Sequence, residues 1–154
     1  MKLLPSCPPR GVKSPKRRRT LGSGVRPCPG CRGAHHKDAQ GRCAHCGGLW
    51  LPASRVEALA PGQLAAARRL AGKGPVAPLQ CPDCLGALKA LDVPGPIHEG
   101  DLFWGLETAR PQGTAVADAC PRCGGVWVDA ENLGRAGDAR AFLANLAAVL
   151  RGAS

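Results

Sequence analysis

The sequence predicts a small α+β fold made of two similar, internally cross-linked units, and three observations predict it. Eight of the nine cysteines fall into four Cys-x-x-Cys pairs. The second and fourth pairs are each followed by Gly-Gly, an aliphatic residue and a tryptophan, at Trp50 and Trp127. Aromatic residues make up only 3% of the chain, which is too few to fill a large core. Units this small and core-poor need disulfides or a metal to stay folded.

The choice between disulfides and metal depends on the compartment. Pro5 follows the first four residues directly, so we expect no apolar region of a secretory signal. No run reaches the ~18 apolar residues of a membrane span. We therefore expect a cytoplasmic protein that does not bind membranes and whose reduced thiols bind metal. The Ala, Gly, Arg and Pro bias is typical of a GC-rich genome and favours a bacterial source.

Positive charge is concentrated at the N-terminus. The formal net charge is +10, and the first 27 residues hold 8 of the 21 basic residues and no acidic one. Residues 1–26 also lack apolar periodicity, which predicts a disordered basic tail. The tail is interpreted either as a solubilising segment or as a nucleic-acid contact, and Cys7 within it as a spare thiol. The basic residues for such a contact are Lys13, Lys16, Arg17, Arg18 and Arg19.

Residues 27–72 form the first predicted unit. Its two Cys-x-x-Cys pairs are separated by residues 32–42, a length that suits a short β-hairpin between two turns, or knuckles. Leu49–Leu51 predicts a short strand, and residues 53–72 predict helix that is interrupted at Pro61.

The start of that helix carries a Ser-x-x-Glu pattern. Ser54 and Glu57 are spaced as in a capping box, in which each side chain binds a backbone N–H group of the first turn. We expect this pair to begin the helix.

The second predicted unit covers residues 80–151 and follows a linker at 73–79. It differs by a loop of 35 residues, 85–119, inserted between its two cysteine pairs. We expect strands near 87–92 and 102–107 in this insertion. A long insertion often carries extra strands or a binding surface. Trp104 is therefore interpreted either as a core residue or, with Phe103, as a candidate contact for a protein partner.

The chain ends in a helical segment over residues 129–151. Asp129 and Asp138 are placed to cap two successive helices. Apolar side chains recur on one face with helical spacing, and core packing is the favoured interpretation of this face: Phe142, Leu143, Leu146, Val149 and Leu150.

Four thiolates at this spacing match the chemistry of zinc. Zn²⁺ prefers four sulfur or nitrogen ligands at tetrahedral angles, and a two-residue gap lets both sulfurs of one pair face a single ion. Gly47 and Gly124, directly after a cysteine, permit the positive φ that such a turn often uses. With four protein ligands no position stays open, so two structural zinc ions are predicted rather than catalytic ones. Iron in the same cage and dithiol redox chemistry are the alternatives.

No catalytic motif accompanies the cysteines, so we expect no enzyme activity. His45 lies inside the second cysteine pair and is expected to be an exposed knuckle residue. His35, His36 and His98 are expected to face solvent. Trp50 and Trp127 are expected to pack over the metal cages.

The pattern resembles the transcription-factor-IIB-type zinc ribbon, a small domain common in bacterial proteins. The resemblance rests on Cys81-Pro-x-Cys84 and on Cys120-Pro-x-Cys123-Gly-Gly-Val-Trp127-Val-Asp129-Ala-Glu131-Asn-Leu133. The first unit matches as far as Leu51, but Pro52 then stands in place of the Asp and no Glu-Leu pair follows. The second unit matches at Asp129, while its long loop departs from the family.

The resemblance implies two zinc ribbons, that is, short β-hairpins with Cys-x-x-Cys knuckles, each followed by a short helical segment. It implies two ligand sets, the first being Cys28, Cys31, Cys43 and Cys46, and the second Cys81, Cys84, Cys120 and Cys123. The family also suggests nucleic-acid or transcription-linked binding. A protein-interaction or scaffold module remains the second hypothesis, and a thiol redox protein the third.

Overall fold

One antiparallel sheet joins both predicted units in the computed structural model. The structure describes residues 27–33, 38, 40–95 and 114–153. The strands are β1 (Leu49–Leu51), β2 (Val76–Gln80), β3 (Ala87–Val93), β4 (Ala115–Ala119) and β5 (Val126–Val128), arranged in the order β1-β5-β4-β3-β2. The helices are α1 (Ala53–Leu59), α2 (Leu64–Lys73), α3 (Ala130–Arg135) and α4 (Ala139–Gly152). The small α+β class predicted from the sequence is confirmed.

The pairing of edge strand β1 with β5 joins the first predicted unit to the second. The two strands follow the equivalent Gly-Gly pairs of the two repeats and run antiparallel, with Trp50 directly opposite Trp127. Leu49 faces Val128, and Leu51 faces Val126. The two Gly-Gly-aliphatic-Trp segments are thus related by a local, approximate two-fold axis that passes between the two tryptophans.

The two faces of the sheet bury different chemistry because successive side chains of a strand point to opposite sides. On one face the helices cover aliphatic side chains, among them Leu49, Val93 and Val128, with Phe142 and Leu146 contributed by α4. The other face carries Trp50, Trp127 and Leu88 together with the eight cysteines of the four pairs.

The helices follow the sequence prediction closely. The break at Pro61 is confirmed, since α1 ends at Leu59 and α2 begins at Leu64. Asp129 and Asp138 are confirmed as caps, because their side chains accept from Asn132 N and Ala141 N, both at 2.7 Å. The apolar face of α4 packs into the core as expected.

The capping box at Ser54 and Glu57 is wrong. Helix α1 begins after Pro52, whose position makes no side-chain capping bond. Glu57 instead accepts from Gly62 N at 2.7 Å and ties the turn between α1 and α2. The ring of Pro52 fixes its φ at −64°, and its ψ of 160° places the residue outside the helix, so α1 begins at Ala53 without a side-chain cap.

Residues 73–79, expected as a linker, hold the end of α2 and most of β2. Ala90 N donates to Pro75 O at 2.9 Å, and Lys89 Nζ donates to Gly72 O at 2.9 Å, so this segment is tied to β3. The strand expected near 87–92 is confirmed as β3. The tail at 1–26, the strand expected near 102–107, and Phe103 and Trp104 lie outside the described residues.

Candidate metal centres

Each Cys-x-x-Cys pair forms a turn with the same backbone hydrogen bonds. In the fourth turn, Cys120 N donates to Gly125 O at 2.8 Å, and Gly124 N donates to Cys120 O at 2.9 Å. The turns that begin at Cys28, Cys43 and Cys81 repeat this pattern, with the same offsets of five and four residues. Four copies of one turn therefore present their sulfurs in the same way.

The residue after the second cysteine of every pair adopts a positive φ. Gly47 and Gly124 do so at 72° and 85°, as the sequence predicts. The equivalent positions in the other two turns hold Arg32 at 56° and Leu85 at 60°, where a side chain makes this conformation costly. Sequence reasoning missed these two, although their place after a Cys-x-x-Cys pair was the signal that identified the glycines.

The turns bring the sulfurs together in two groups of four. The first group is Cys28, Cys31, Cys43 and Cys46, and the second is Cys81, Cys84, Cys120 and Cys123; within each group all four sulfur atoms lie within 4.8 Å of one another. We call these groups site 1 and site 2. The ligand sets implied by the family resemblance are therefore the sets that the fold assembles.

The sulfur separations fit a tetrahedral metal ion. In site 1, Cys28 Sγ lies 3.6 Å from Cys46 Sγ, and Cys31 Sγ lies 3.8 Å from Cys43 Sγ. A tetrahedral ion with metal–sulfur bonds of ~2.3 Å separates its ligands by about 3.8 Å.

Site 2 is built in the same way. Cys81 Sγ lies 3.5 Å from Cys123 Sγ, and Cys84 Sγ lies 3.4 Å from Cys120 Sγ. All eight thiols are free, and these separations are far longer than the ~2.05 Å of a disulfide bond.

The sheet positions the sites by holding the ends of its strands. In site 2, one turn connects β2 to β3 and the other connects β4 to β5, so strand pairing sets the distance between the turns. In site 1, the second turn leads into β1, and Arg42 bridges to Leu49 across it. The first cysteine of every pair is buried and the second is half-buried.

Burial and backbone dipoles act on the thiols in opposite directions. Burial raises the pKa of Cys46 to about 12 and raises the pKa of Cys28 further, with the charge of Cys46 adding to the effect. Burial likewise raises the pKa of Cys81 and of Cys123.

The other two perturbed thiols shift the other way. For Cys43 and Cys120, burial acts to raise the pKa, but hydrogen bonds from backbone N–H groups of their own turns and from neighbouring thiols together lower it.

In site 2, backbone N–H groups donate hydrogen bonds to the cysteine sulfur atoms. Asp83 N lies 3.4 Å from Cys81 Sγ, and Gly125 N lies 3.4 Å from Cys123 Sγ. Such bonds favour the thiolate, which is the form that binds metal. Four thiolates this close together need a compensating cation, and the sulfur donors suit a zinc ion.

Among the described residues, the remaining histidine candidate takes no part in either site. His45 is exposed and lies outside the site 1 group, as expected. His35, His36, His98 and Cys7 lie outside the described residues. Within the part of the chain that the structure describes, no helix combines the length and the apolar character needed to cross a membrane.

Comparison with known proteins adds no relative. No protein-family model, curated protein or solved structure matches this chain.

Proposed function

We propose that this chain is a non-enzymatic zinc-binding protein, similar to tandem transcription-factor-IIB-type zinc ribbons, that binds nucleic acid or the transcription machinery. The observation that carries the zinc assignment is the pair of four-cysteine groups, each with its sulfur atoms within 4.8 Å of one another. A metal held by four protein ligands has no open position, so the ions are structural. The cytoplasm, which keeps thiols reduced, is the compartment that fits eight metal-binding cysteines.

Native mass spectrometry of the purified chain, with and without chelator, tests the zinc assignment. Two zinc ions per molecule are expected, and Cys31→Ser with Cys46→Ser should lower the count at site 1. A matched variant, Cys7→Ser, should keep both ions because neither predicted ligand set includes Cys7. A chain with fewer than two ions, or with iron, contradicts the proposal.

The basic tail supports the nucleic-acid part of the proposal. It joins the fold at Pro27, one residue before the first ligand of site 1. The rest of the chain holds 13 basic and 11 acidic residues, so the tail is the main source of positive field. Trp50 and Trp127 are each 1% exposed and do not offer a stacking surface for bases. Binding through the tail would therefore be electrostatic and weakly selective for sequence.

Salt dependence tests this electrostatic binding. We expect a fluorescently labelled 20-nucleotide DNA or RNA to bind at low salt and to dissociate steeply as salt rises. Each phosphate contact contributes about 0.7–0.9 to the slope of log association constant against log salt concentration. Replacing the four residues Lys16–Arg19 with glutamine should therefore make this slope shallower by about 3.

A charge-matched control comes from the folded part. Glutamine at Arg68, Arg69, Arg140 and Arg151 removes the same charge outside the tail and should leave most of the binding. Equal loss in both variants, or binding that does not respond to salt, contradicts the role of the tail.

A protein-interaction module is the second candidate, and one observation favours it. Leu85 is 68% exposed and holds a positive φ at the tip of a site 2 turn, an unusual place for a large apolar side chain. Together with the Phe103–Trp104 insertion it would offer apolar contacts. A partner lost on Trp104→Ala at unchanged zinc content, while nucleic acid does not bind, would favour this candidate.

A further inference from the structure

Each tryptophan packs against the metal-binding turn of the other repeat. A methyl group at Gly125 would lie 2.6 Å from both Cη2 and Cζ2 of Trp50, so the first repeat's indole covers the site 2 turn. A methyl group at Gly48 would likewise overlap Cζ2 and Cη2 of Trp127, so the second repeat's indole covers the site 1 turn. Both glycines accept the hydrogen bond that closes their turn, from Cys43 N and Cys120 N. The indoles therefore press on the backbone that orients the ligands.

Trp127 also reaches the other turn of site 1. A methyl group at Gly30 would lie 2.8 Å from Trp127 Cζ2 and 3.6 Å from Cys46 Sγ. The equivalent position in the second repeat holds Asp83 rather than glycine. Trp127 thus contacts both halves of site 1.

The helices cross over in the same way. A methyl group at Gly47 would lie 3.4 Å from Ala130 Cβ, at the start of α3 in the second repeat. One at Gly124 would lie 2.5 Å from Leu64 Cδ1, in α2 of the first repeat. The second turn of each site is therefore contacted by an indole and a helix that its own repeat does not supply.

We propose that Trp127 is a positioning residue for site 1 and Trp50 for site 2, so that each repeat controls metal retention in the other. The inference rests on the proposed metal binding. Residues that orient metal ligands without touching the metal change affinity by about 10–100-fold when they are altered. Independent ribbons would show the opposite pattern, because each tryptophan would then stabilise the site that precedes it in the sequence.

Site-resolved alkylation of the zinc-loaded full chain tests the crossed pattern. After a chelator pulse, iodoacetamide labels thiols that have lost metal, and peptide mass spectrometry reports Cys31 and Cys46 separately from Cys84 and Cys123. Trp127→Phe, which removes the outer indole ring, should raise labelling of the site 1 pair about tenfold over that of the site 2 pair. Trp50→Phe should do the reverse, and each variant is the control for the other.

Three outcomes overturn the inference: labelling confined to the site in the same repeat, equal labelling of both sites, or no change. If the tryptophan variants do not fold, Gly30→Ala places a methyl group in the contact with Trp127 and should release site 1 alone. Asp83→Ala at the equivalent position of the second repeat is its control and should leave both sites protected. Absence of zinc from the purified, unaltered chain before the chelator pulse would instead contradict the metal assignment, so the two failures are distinguishable.

Discussion

Adding one methyl group at Gly125 should destabilise the protein through a clash with Trp50. The methyl carbon would lie 2.6 Å from two ring atoms of Trp50, about 1 Å inside van der Waals contact, and 3.3 Å from Leu51 O. Trp50 is 1% exposed and packs in the cluster of cysteines and indoles, so its ring has little room to move. Overpacking of this kind costs about 1–3 kcal/mol. At about 4–8 °C per kcal/mol for the ordered part, Gly125→Ala should melt some 4–24 °C lower.

A matched substitution separates the clash from a general effect of replacing glycine. A methyl group at Gly72, inside α2, would meet nothing within 4 Å. Gly72→Ala should therefore gain about 0.5–1 kcal/mol from helix propensity alone. Thermal unfolding of both zinc-loaded variants, followed by circular dichroism at equal zinc content, gives the comparison. Equal melting temperatures would refute the packing of Trp50 on the site 2 turn.

The remaining predictions concern metal, protons and helix caps. Chelation should shift tryptophan emission to the red because Trp50 and Trp127 lose their contacts with the turns. The experiment uses the Trp104→Phe variant, which removes the emission of the third tryptophan. Unchanged emission from the metal-free protein would contradict this prediction. Burial raises the pKa of Cys46 to about 12, so zinc binding to the folded site should still release a proton at pH 10, and affinity should keep rising with pH. Calorimetry in two buffers of different ionisation enthalpy measures the proton release. Binding without proton release at pH 10 would show that this thiol is not buried before metal binds. Asp129→Ala should lower the free energy of unfolding by more than the ~1 kcal/mol expected for Asp138→Ala, because it also removes the carboxylate that accepts from the buried Asn132 amide. Equal midpoints in urea unfolding would show that the Asn132–Asp129 bond adds no stability.

The sequence predicts the local parts of this structure well. Cysteine spacing identifies the eight residues that the fold groups in fours, since the geometry of a turn is set by neighbours in the chain. The caps at Asp129 and Asp138 are predicted for the same reason. The positive φ of Arg32 and Leu85 is less visible, because neither residue type favours that conformation and only the repeated turn demands it.

The pairing of the two repeats is not predictable from local pattern. The register that places Trp50 opposite Trp127 depends on strands 77 residues apart in the sequence, and nothing in either segment says which partner it will take. For the same reason, the sequence predicts that Trp50 and Trp127 pack over the metal cages but does not indicate that each packs over the cage of the opposite repeat. Gly48 and Gly125 leave room for the indoles, but they indicate this packing only once the strand register is known.

The local two-fold relation between β1 and β5 bears on how many partner molecules one chain can bind. A dimer of identical chains repeats every surface feature twice, whereas covalent fusion of two unlike halves lets corresponding positions diverge. The exposed turn residues differ in this way, with Arg32 in one half and Leu85 in the other, and the loop between the cysteine pairs has 35 residues in the second half against 11 in the first. The metal-binding turns are repeated but these positions are not, so a partner that contacts Leu85 under the proposed interaction role should bind with a stoichiometry of one to one.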